Sequence, residues 1–289
     1  MKRIIPAVAI LACGTVLGFG QVRDLSRQAQ KYAQSFDHVI LEETVDVNVR
    51  ESGMSVRSET RAVQVFSVEG CRRHHTVSFF YDPQTSHLEV TGARRIRGDS
   101  EIEIPLSRVR TYPQPARAIY WPNIRVSIPF GLLEPGDIIV TTCRRKGFSY
   151  ALLTDDDEAR FTPPMAGHFY DIVPFQDFVP ILSKRYTVSL PRSCPIRYRF
   201  YNGEVQPALE FTEDGMRYTF TRSEIPALAR EPHMVDISDV GMKLLVSTTP
   251  SWKEKSKWFH GVNEEVSFNI TPEIQRKVDA LTAACRSDA

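Results

Sequence analysis

The chain has 289 residues, of which 42% are hydrophobic and 25% are charged, and its formal net charge is +1. This length and composition are typical of a globular protein with one large core or two smaller cores. A charge so close to zero excludes strong electrostatic attraction to nucleic acid, so we predict no nucleic-acid partner.

The first twenty residues, "MKRIIPAVAILACGTVLGFG", have the order of a bacterial secretory signal peptide. Two basic residues precede a short apolar run, and small glycine residues lie before a cleavage point at Gln21. Two alternatives stay open: a lipoprotein box that would leave Cys13 lipidated, and an uncleaved anchor. We therefore predict a signal peptide over 1–20 and export to the periplasm or cell envelope, with membrane attachment only if Cys13 carries a lipid.

Helical spacing follows the signal peptide, and we predict an N-terminal helix over 21–36 with Asp24 as its N-cap. The apolar residues that carry this spacing are Leu25, Ala29, Tyr32, Ala33 and Phe36. The period then changes to strict alternation in "TVDVNVR", which is typical of a half-buried strand.

Alternation between apolar and polar residues continues over 37–249. The segments "TVSFFY", "IRVSIPF", "RYTVSL" and "MRYTFT" alternate, and tight-turn dipeptides such as Asn202-Gly203 and Asp214-Gly215 separate such runs. Many short strands with little helix predict an all-β fold, an antiparallel β-sandwich. The nineteen prolines fit this fold, because prolines lie at turns and strand edges.

Two segments lack the alternation. Residues 154–160 are acidic and are interpreted as a solvated loop rather than a calcium site, because the carboxylates lack the spacing and glycine of a calcium loop. Residues 163–180 are rich in proline and aromatic residues, and we interpret them as a long ordered loop across one sandwich edge.

The segment "CRRHH" at 71–75 contains three residues, Cys71, His74 and His75, of types that bind metals. If it leads into the strand "TVSFFY", adjacent side chains point to opposite faces, and Cys71 lies roughly 13 Å from His75. That geometry predicts no metal site, an exposed His74 and a His75 beside the core. No phosphate loop or dinucleotide motif is present, so we predict no cofactor.

Nucleophilic catalysis needs a cysteine or serine with a histidine partner. Cys143, Cys194 and Cys285 lack a context that lowers a thiol pKa, and no glycine-flanked serine elbow occurs. With Cys71 they permit three disulfide pairings, and free thiols remain an equal alternative. A hydrolase or acyltransferase built from scattered Cys and His residues stays open as the alternative function.

Four aromatic residues are candidates for ligand binding, because aromatic rings stack on sugars and peptides. They are Tyr120, Trp121, Phe169 and Tyr170. The alternative is that these rings cover the ends of the sandwich core.

The last forty residues, 250–289, change to helical patterns. Ser251 and Glu254 form a capping box, and Thr271 with Pro272 opens a second helix. Two short amphipathic helices are marginal alone in water, so their apolar residues need a cover. We predict that these residues dock a partner protein: Trp252, Trp258, Phe259, Ile274, Val278 and Leu281.

Several segments resemble an exported bacterial domain of unknown function that occurs upstream of transglutaminase-like domains. They are "GHFYDIVPFQDFVPILSKRYTVSLPRSCPIRYRFYNGE", "IPALAREPHMVDISDVGMKLLVSTTPSWKEKSKWF", "LEVTGARRIRGDSEIEIP" and "LLEPGDIIV". The resemblance covers roughly residues 36–281 and implies a β-sandwich. In such proteins the "PSW" helix leads into a domain with a Cys, His and Asp triad.

The resemblance implies that catalysis belongs to a separate domain and that this chain has an accessory role. The chain ends at Ala289 without a transglutaminase-like domain, so no triad residue is assigned and we expect no catalysis. The predicted function is that of a non-catalytic exported accessory domain. It would dock a transglutaminase- or peptidase-like envelope protein, or bind a peptide or glycan.

Overall fold

The computed structural model describes residues 18–114, 123–149, 168–267 and 270–283. Several predictions lie outside these residues: the signal peptide with Cys13, the candidate residues Tyr120 and Trp121, the acidic segment 154–160, and Cys285. The chain divides into two compact units, Met1–Thr248 and Thr249–Ala289.

The described residues form five α-helices and fourteen strands. The helices are α1 Phe19–Ala29, α2 Val68–His74, α3 Ile237–Val240, α4 Trp252–Ser267 and α5 Pro272–Thr282, with 3₁₀ turns at Gln30–Tyr32 and Leu106–Arg108. The strands are β1 His38–Val49, β2 Ser55–Val65, β3 Thr76–Tyr81, β4 Ser86–Arg97, β5 Ser100–Glu103, β6 Arg110–Pro113, β7 Ile124–Pro129, β8 Ile138–Gly147, β9 Tyr170–Pro174, β10 Ile181–Pro191, β11 Arg197–Tyr201, β12 Ala208–Phe211, β13 Gly215–Ile225 and β14 Lys243–Ser247. In this part of the chain, no helix is both long and apolar enough to cross a membrane.

Eight strands form one large sheet in the order β12-β13-β10-β1-β2-β8-β4-β5. The pair β1 and β10 is parallel, and its neighbouring pairs are antiparallel. The prediction of a mostly β, sandwich-like chain is confirmed, but the prediction of a purely antiparallel sheet is wrong. More than a hundred residues separate β1 from β10 along the chain, so no hairpin turn sets their relative direction.

Two three-stranded sheets, β11-β14-β9 and β3-β7-β6, form the second layer. A single core joins Val45 and Ile139 of the large sheet to Ile128 of β7, Val173 of β9 and Leu244 of β14. The large sheet therefore presents one face to both small sheets, as expected from inward-facing residues at every second strand position.

Helix α1 covers the opposite face of the large sheet. Val22 and Ala29 pack there against Val39, Leu41 and other buried strand residues. The helix begins at Phe19, after Gly18 as its N-cap, so the predicted cap Asp24 lies inside the helix. The apolar spacing predicted a helix in this region, but α1 starts within the segment assigned to the signal peptide and ends at Ala29, with a 3₁₀ turn to Tyr32, rather than at residue 36.

The segment "CRRHH" belongs to helix α2 and not to a strand, so that prediction is wrong. Ser67 begins the helix by accepting a hydrogen bond on its Oγ from the Gly70 N–H, at 3.0 Å. His74 packs against His38, with 4.3 Å between the ring centroids, while His75 is exposed. The environments of the two histidines are thus the reverse of those predicted.

The aromatic segment 163–180 contains a strand, β9, and is not simply a loop as predicted. Phe169, Val173 and Phe175 point into the core, and the intervening inward position belongs to Asp171. A charged residue at an inward position broke the apolar alternation, and the strand was therefore not recognised.

Candidate functional site

A cleft with a volume of about 510 Å³ opens where β2 begins and β8 ends. Arg57 and Arg145 lie among the residues that line it, at neighbouring positions of β2 and β8. Asp82 borders the cleft beside β3, and Ile172 borders it on β9. The cleft is therefore lined by the large sheet, by the turn after β3 and by β9.

The strand pattern places charged residues at this position. Arg57 and Glu59 occupy alternate positions of β2, so their side chains lie on the same face of the sheet as the core residue Val63. At the end of β8, a Cβ atom on Gly147 would overlap the carbonyl oxygen of Thr85. Glycine at this position therefore lets the start of β4 approach β8 closely and form the wall of the cleft.

Arg57 is held by two carboxylates. Its Nη1 lies 2.7 Å from Asp171 Oδ2, and its Nε lies 3.4 Å from Glu59 Oε2. The Tyr186 hydroxyl donates to the same Asp171 oxygen at 3.0 Å. Burial works against the charge of Arg57, but the two carboxylates outweigh it and raise the pKa of Arg57. This group fixes β9 against the large sheet.

Arg145 has a different environment. It lies directly opposite Arg57 in the β2–β8 register, so two like charges share one face. Its Nη2 donates to the carbonyl oxygen of Phe80 at 2.8 Å, and the described residues show no ion pair for it. Burial and the charge of Arg57 lower the pKa of Arg145. The cleft thus contains a cation without a carboxylate partner among the described residues.

The structure brings two of the four predicted ligand-binding residues to this cleft. Phe169 is buried in the core and borders the cleft, and Tyr170 is half-buried. Our sequence interpretation missed Arg57, Arg145 and Asp171. The available signal was the run of three charged residues, Arg57, Glu59 and Arg61, at alternate positions of "VRSETRAVQV".

A second candidate surface lies on the C-terminal helices. Ser251 and Thr271 cap α4 and α5 through their hydroxyls, as predicted. The apolar side chains predicted to dock a partner are exposed: Trp252 by 82%, Phe259 by 63%, Ile274 by 51%, Val278 by 44% and Leu281 by 69%. The side chain of Trp258 lies outside the described part of the structure. Ile274, Val278 and Leu281 share one face of α5 by their i, i+4, i+7 spacing.

The cysteines in the described residues are free thiols, and Cys71 and Cys143 are buried. Burial raises the pKa of both, and that of Cys143 reaches about 12. A thiol with a raised pKa holds its proton near neutral pH and is a poor nucleophile. Within the described ranges, no group of three or more His, Cys, Asp or Glu side chains is arranged to hold a metal ion.

A family model for a domain of unknown function with a solved structure, DUF3857, matches residues 51–229. Among solved structures, a candidate protease from Parabacteroides distasonis superposes with a TM-score of 0.69 at 15% identity. It covers 86% of this chain, which in turn spans only 47% of that protein. At this identity the likeness shows the fold alone.

An M1 zinc metallopeptidase from Deinococcus radiodurans shares 16% identity, and the match covers 73% of this chain and 42% of the metallopeptidase. Its TM-score is 0.37, which is too low to support a common fold. No curated protein sequence matches the chain.

Proposed function

The chain belongs to the DUF3857 family, and from this premise we propose that it is an exported, non-catalytic accessory domain. In this proposal the C-terminal helices α4 and α5 dock a transglutaminase- or peptidase-like protein of the cell envelope. The cleft beside Arg145 is a separate ligand site of the same domain, for a peptide or a glycan.

The exposed apolar residues of the two C-terminal helices carry this proposal. Trp252 and Phe259 lie seven residues apart on α4, and Ile274, Val278 and Leu281 form a stripe on α5. Isolated helices of this length gain most of their stability from packing. Full burial of each such side chain contributes about 1.5–3 kcal/mol, so a protein that covers the stripe would be bound by it.

Two basic side chains of these helices are paired with neighbouring carboxylates. On α5, Arg276 is paired with Glu273 at 3.4 Å on the face opposite the apolar stripe. On α4, Lys257 is paired with Glu254 at 3.2 Å. Each of these two basic side chains is therefore compensated by a neighbouring carboxylate, and the exposed apolar side chains offer contact area to a partner protein.

The state of two cysteines supports an accessory role rather than a catalytic one. The thiols of Cys71 and Cys143 are buried and hold their protons, so neither is an activated nucleophile. This agrees with the family resemblance, in which a separate domain carries the catalytic triad.

Photo-crosslinking tests the docking surface in the cells that make the protein. A photoreactive phenylalanine analogue replaces Phe259 or Val278 at the apolar faces. Matched control positions are Lys257 on α4 and Arg276 on α5. We expect crosslinks from the apolar positions to one protein with a transglutaminase- or peptidase-like domain, identified by mass spectrometry. Equal crosslinking from the control positions, or crosslinks only between copies of this chain, would contradict the proposal.

A further inference from the structure

Among the described residues, strand β9 pairs with one strand, β14, and its other edge borders the cleft. Its inner side pairs with β14, because the Thr248 N–H donates to the Phe169 carbonyl at 2.9 Å and the Phe175 N–H donates to the Met242 carbonyl at 2.7 Å. Backbone groups alternate in direction along an antiparallel strand. The N–H and C=O groups of Tyr170 and Ile172 therefore point away from β14.

The two outward positions of β9 differ in their partners. The Ser149 hydroxyl donates to the Tyr170 carbonyl at 2.6 Å and lies 3.4 Å from the Tyr170 N–H, so it acts like a neighbouring strand at that position. Ile172 borders the cleft with an exposed side chain, and the described residues show no hydrogen bond to its outward backbone groups. The edge ends at Pro174, which has no N–H.

The cation opposite this edge has no carboxylate of its own. Arg57 is compensated by Glu59 and Asp171, whereas Arg145 has only the Phe80 carbonyl among the described residues. Arg145 has further N–H donors that could bind a carboxylate in a bidentate manner. A carboxylate beside Arg145 would also offset the repulsion between the two neighbouring guanidinium groups.

We propose that the cleft binds an extended peptide whose backbone pairs with Ile172 on β9 and whose carboxylate pairs with Arg145. Addition of a strand to an exposed sheet edge is an established mode of peptide recognition. The paired donor and acceptor of Ile172 match a peptide backbone better than a glycan. This inference deepens the ligand-binding part of the proposed function and is independent of docking through α4 and α5.

The carboxylate can come from the C-terminus of the peptide or from an acidic side chain, and three probes distinguish the sources. The first is acetyl-Thr-Val-Thr-Val-Thr with a free C-terminus, and the second is the same peptide as the C-terminal amide. The third is the amide with glutamate in the central position. Calorimetry with the full chain should show at least one carboxylate peptide binding about tenfold or more tightly than the plain amide.

Two variants test the two halves of the site. Arg145→Gln should remove the preference for a carboxylate, whereas Arg144→Gln, at the adjacent exposed position of β8, should not. Ile172→Pro removes the outward N–H of β9 without removing a hydrogen bond to β14 and should weaken all peptides, whereas Ile172→Thr keeps that donor. Should Ile172→Pro fail to fold, peptides N-methylated at successive bonds test the same pairing on the native protein.

Three results would overturn the inference: no binding of any probe up to about 1 mM, equal affinity of the plain amide and both carboxylate peptides, or no effect of backbone N-methylation. The docking of the partner through α4 and α5 should be unchanged in Arg145→Gln. A native protein that docks its partner but binds none of the peptides would refute the cleft inference alone. A native protein that binds the peptides but does not dock through α4 and α5 would refute the docking proposal alone.

Discussion

Glu43 of β1 lies directly opposite Lys184 of β10 in the parallel register, and their side chains form an ion pair inside the sandwich. Only 2% of the Lys184 side chain is exposed, and its ammonium also lies over the Phe175 ring at 5.5 Å. Burial opposes ionisation of Glu43, but Lys184 and Arg61 hold the pKa of its carboxyl below the ordinary value. This pair links the two strands whose parallel arrangement sets the order of the large sheet.

Removal of one partner of this pair should destabilise the fold strongly. Lys184→Met leaves the Glu43 carboxylate buried without its closest cation, which costs about 3–5 kcal/mol. The double variant Lys184→Met with Glu43→Gln should recover much of that loss, because no buried charge is left unpaired. Urea unfolding measures both, with Arg144→Met on the exposed face of β8 as the control. A loss below about 1 kcal/mol for Lys184→Met would show that the pair is solvated.

Asp137 is a second buried carboxylate with a structural role. It accepts two hydrogen bonds from Arg97, both at 2.7 Å, and one from the Glu134 N–H at 2.9 Å. Asp137→Ala should lower the free energy of unfolding by at least about 1.5–3 kcal/mol, the value for a hydrogen bond to a charged group. Glu134→Gln, which alters only an exposed partner of Arg97, should cost less than about 1 kcal/mol in the same urea titration. Similar losses in both variants would contradict the special role of Asp137.

The stability of the fold should decrease as the pH falls below about 6.5, the ordinary pKa of histidine. Burial lowers the pKa of His74 to about 3, and the charge of His38 adds to that shift. Burial and Arg61 likewise lower the pKa of His38. The unfolded chain therefore binds more protons than the folded protein between about pH 3 and 6.5, so protonation favours unfolding.

A variant isolates this contribution, because Glu42 acts in the opposite direction. Burial raises the pKa of Glu42 above its ordinary value of 4.5. At pH values just above 4.5, the folded protein therefore binds this proton more readily than the unfolded chain, and protonation of Glu42 favours folding. His74→Phe should flatten the decline in unfolding free energy between pH 6.5 and 4.5, whereas His233→Asn at an exposed position should not. An unchanged pH dependence in His74→Phe would show that His74 titrates normally in the folded protein.

The purified protein should show no peptidase or acyl-transfer turnover on casein and amine-acceptor substrates. The reason is that Cys71 and Cys143, which the structure describes, have thiols with raised pKa values and are not activated nucleophiles. Cys194 is partly exposed and should react with iodoacetamide before Cys143 does. Turnover that disappears in Cys143→Ala or Cys194→Ala, with folding intact, would refute a non-catalytic role.

The alternation of apolar residues was enough to predict several strands and the layered architecture, but not β2, β9 or the sheet order. The spacing of apolar residues around Val45 and Val63 indicates which side of each strand points into the core. Nothing in the sequence near β1 indicates that β10 lies beside it. Parallel pairing between distant segments depends on the whole fold, which a local pattern does not encode. Helix α2 was missed because it is short and has little apolar periodicity, so the N-cap Ser67 was its main sequence signal.

The cleft could be predicted only in part. Phe169 and Tyr170 were found because aromatic residues are recognisable ligand contacts in a sequence. Arg145 was not found, because its unusual position depends on the register that places it opposite Arg57. The same register dependence applies to Asp171, which reaches Arg57 from a strand 114 positions further along the chain.

Affinity for the crosslinked partner tests the central claim most directly. Full-length variants Val278→Ser and Leu281→Ser remove apolar anchors from the α5 stripe, and Arg276→Ser alters the opposite face as the matched control. In a titration with the purified partner, each apolar variant should bind at least about tenfold more weakly than the control. Equal affinity of all three variants would contradict docking through the C-terminal helices.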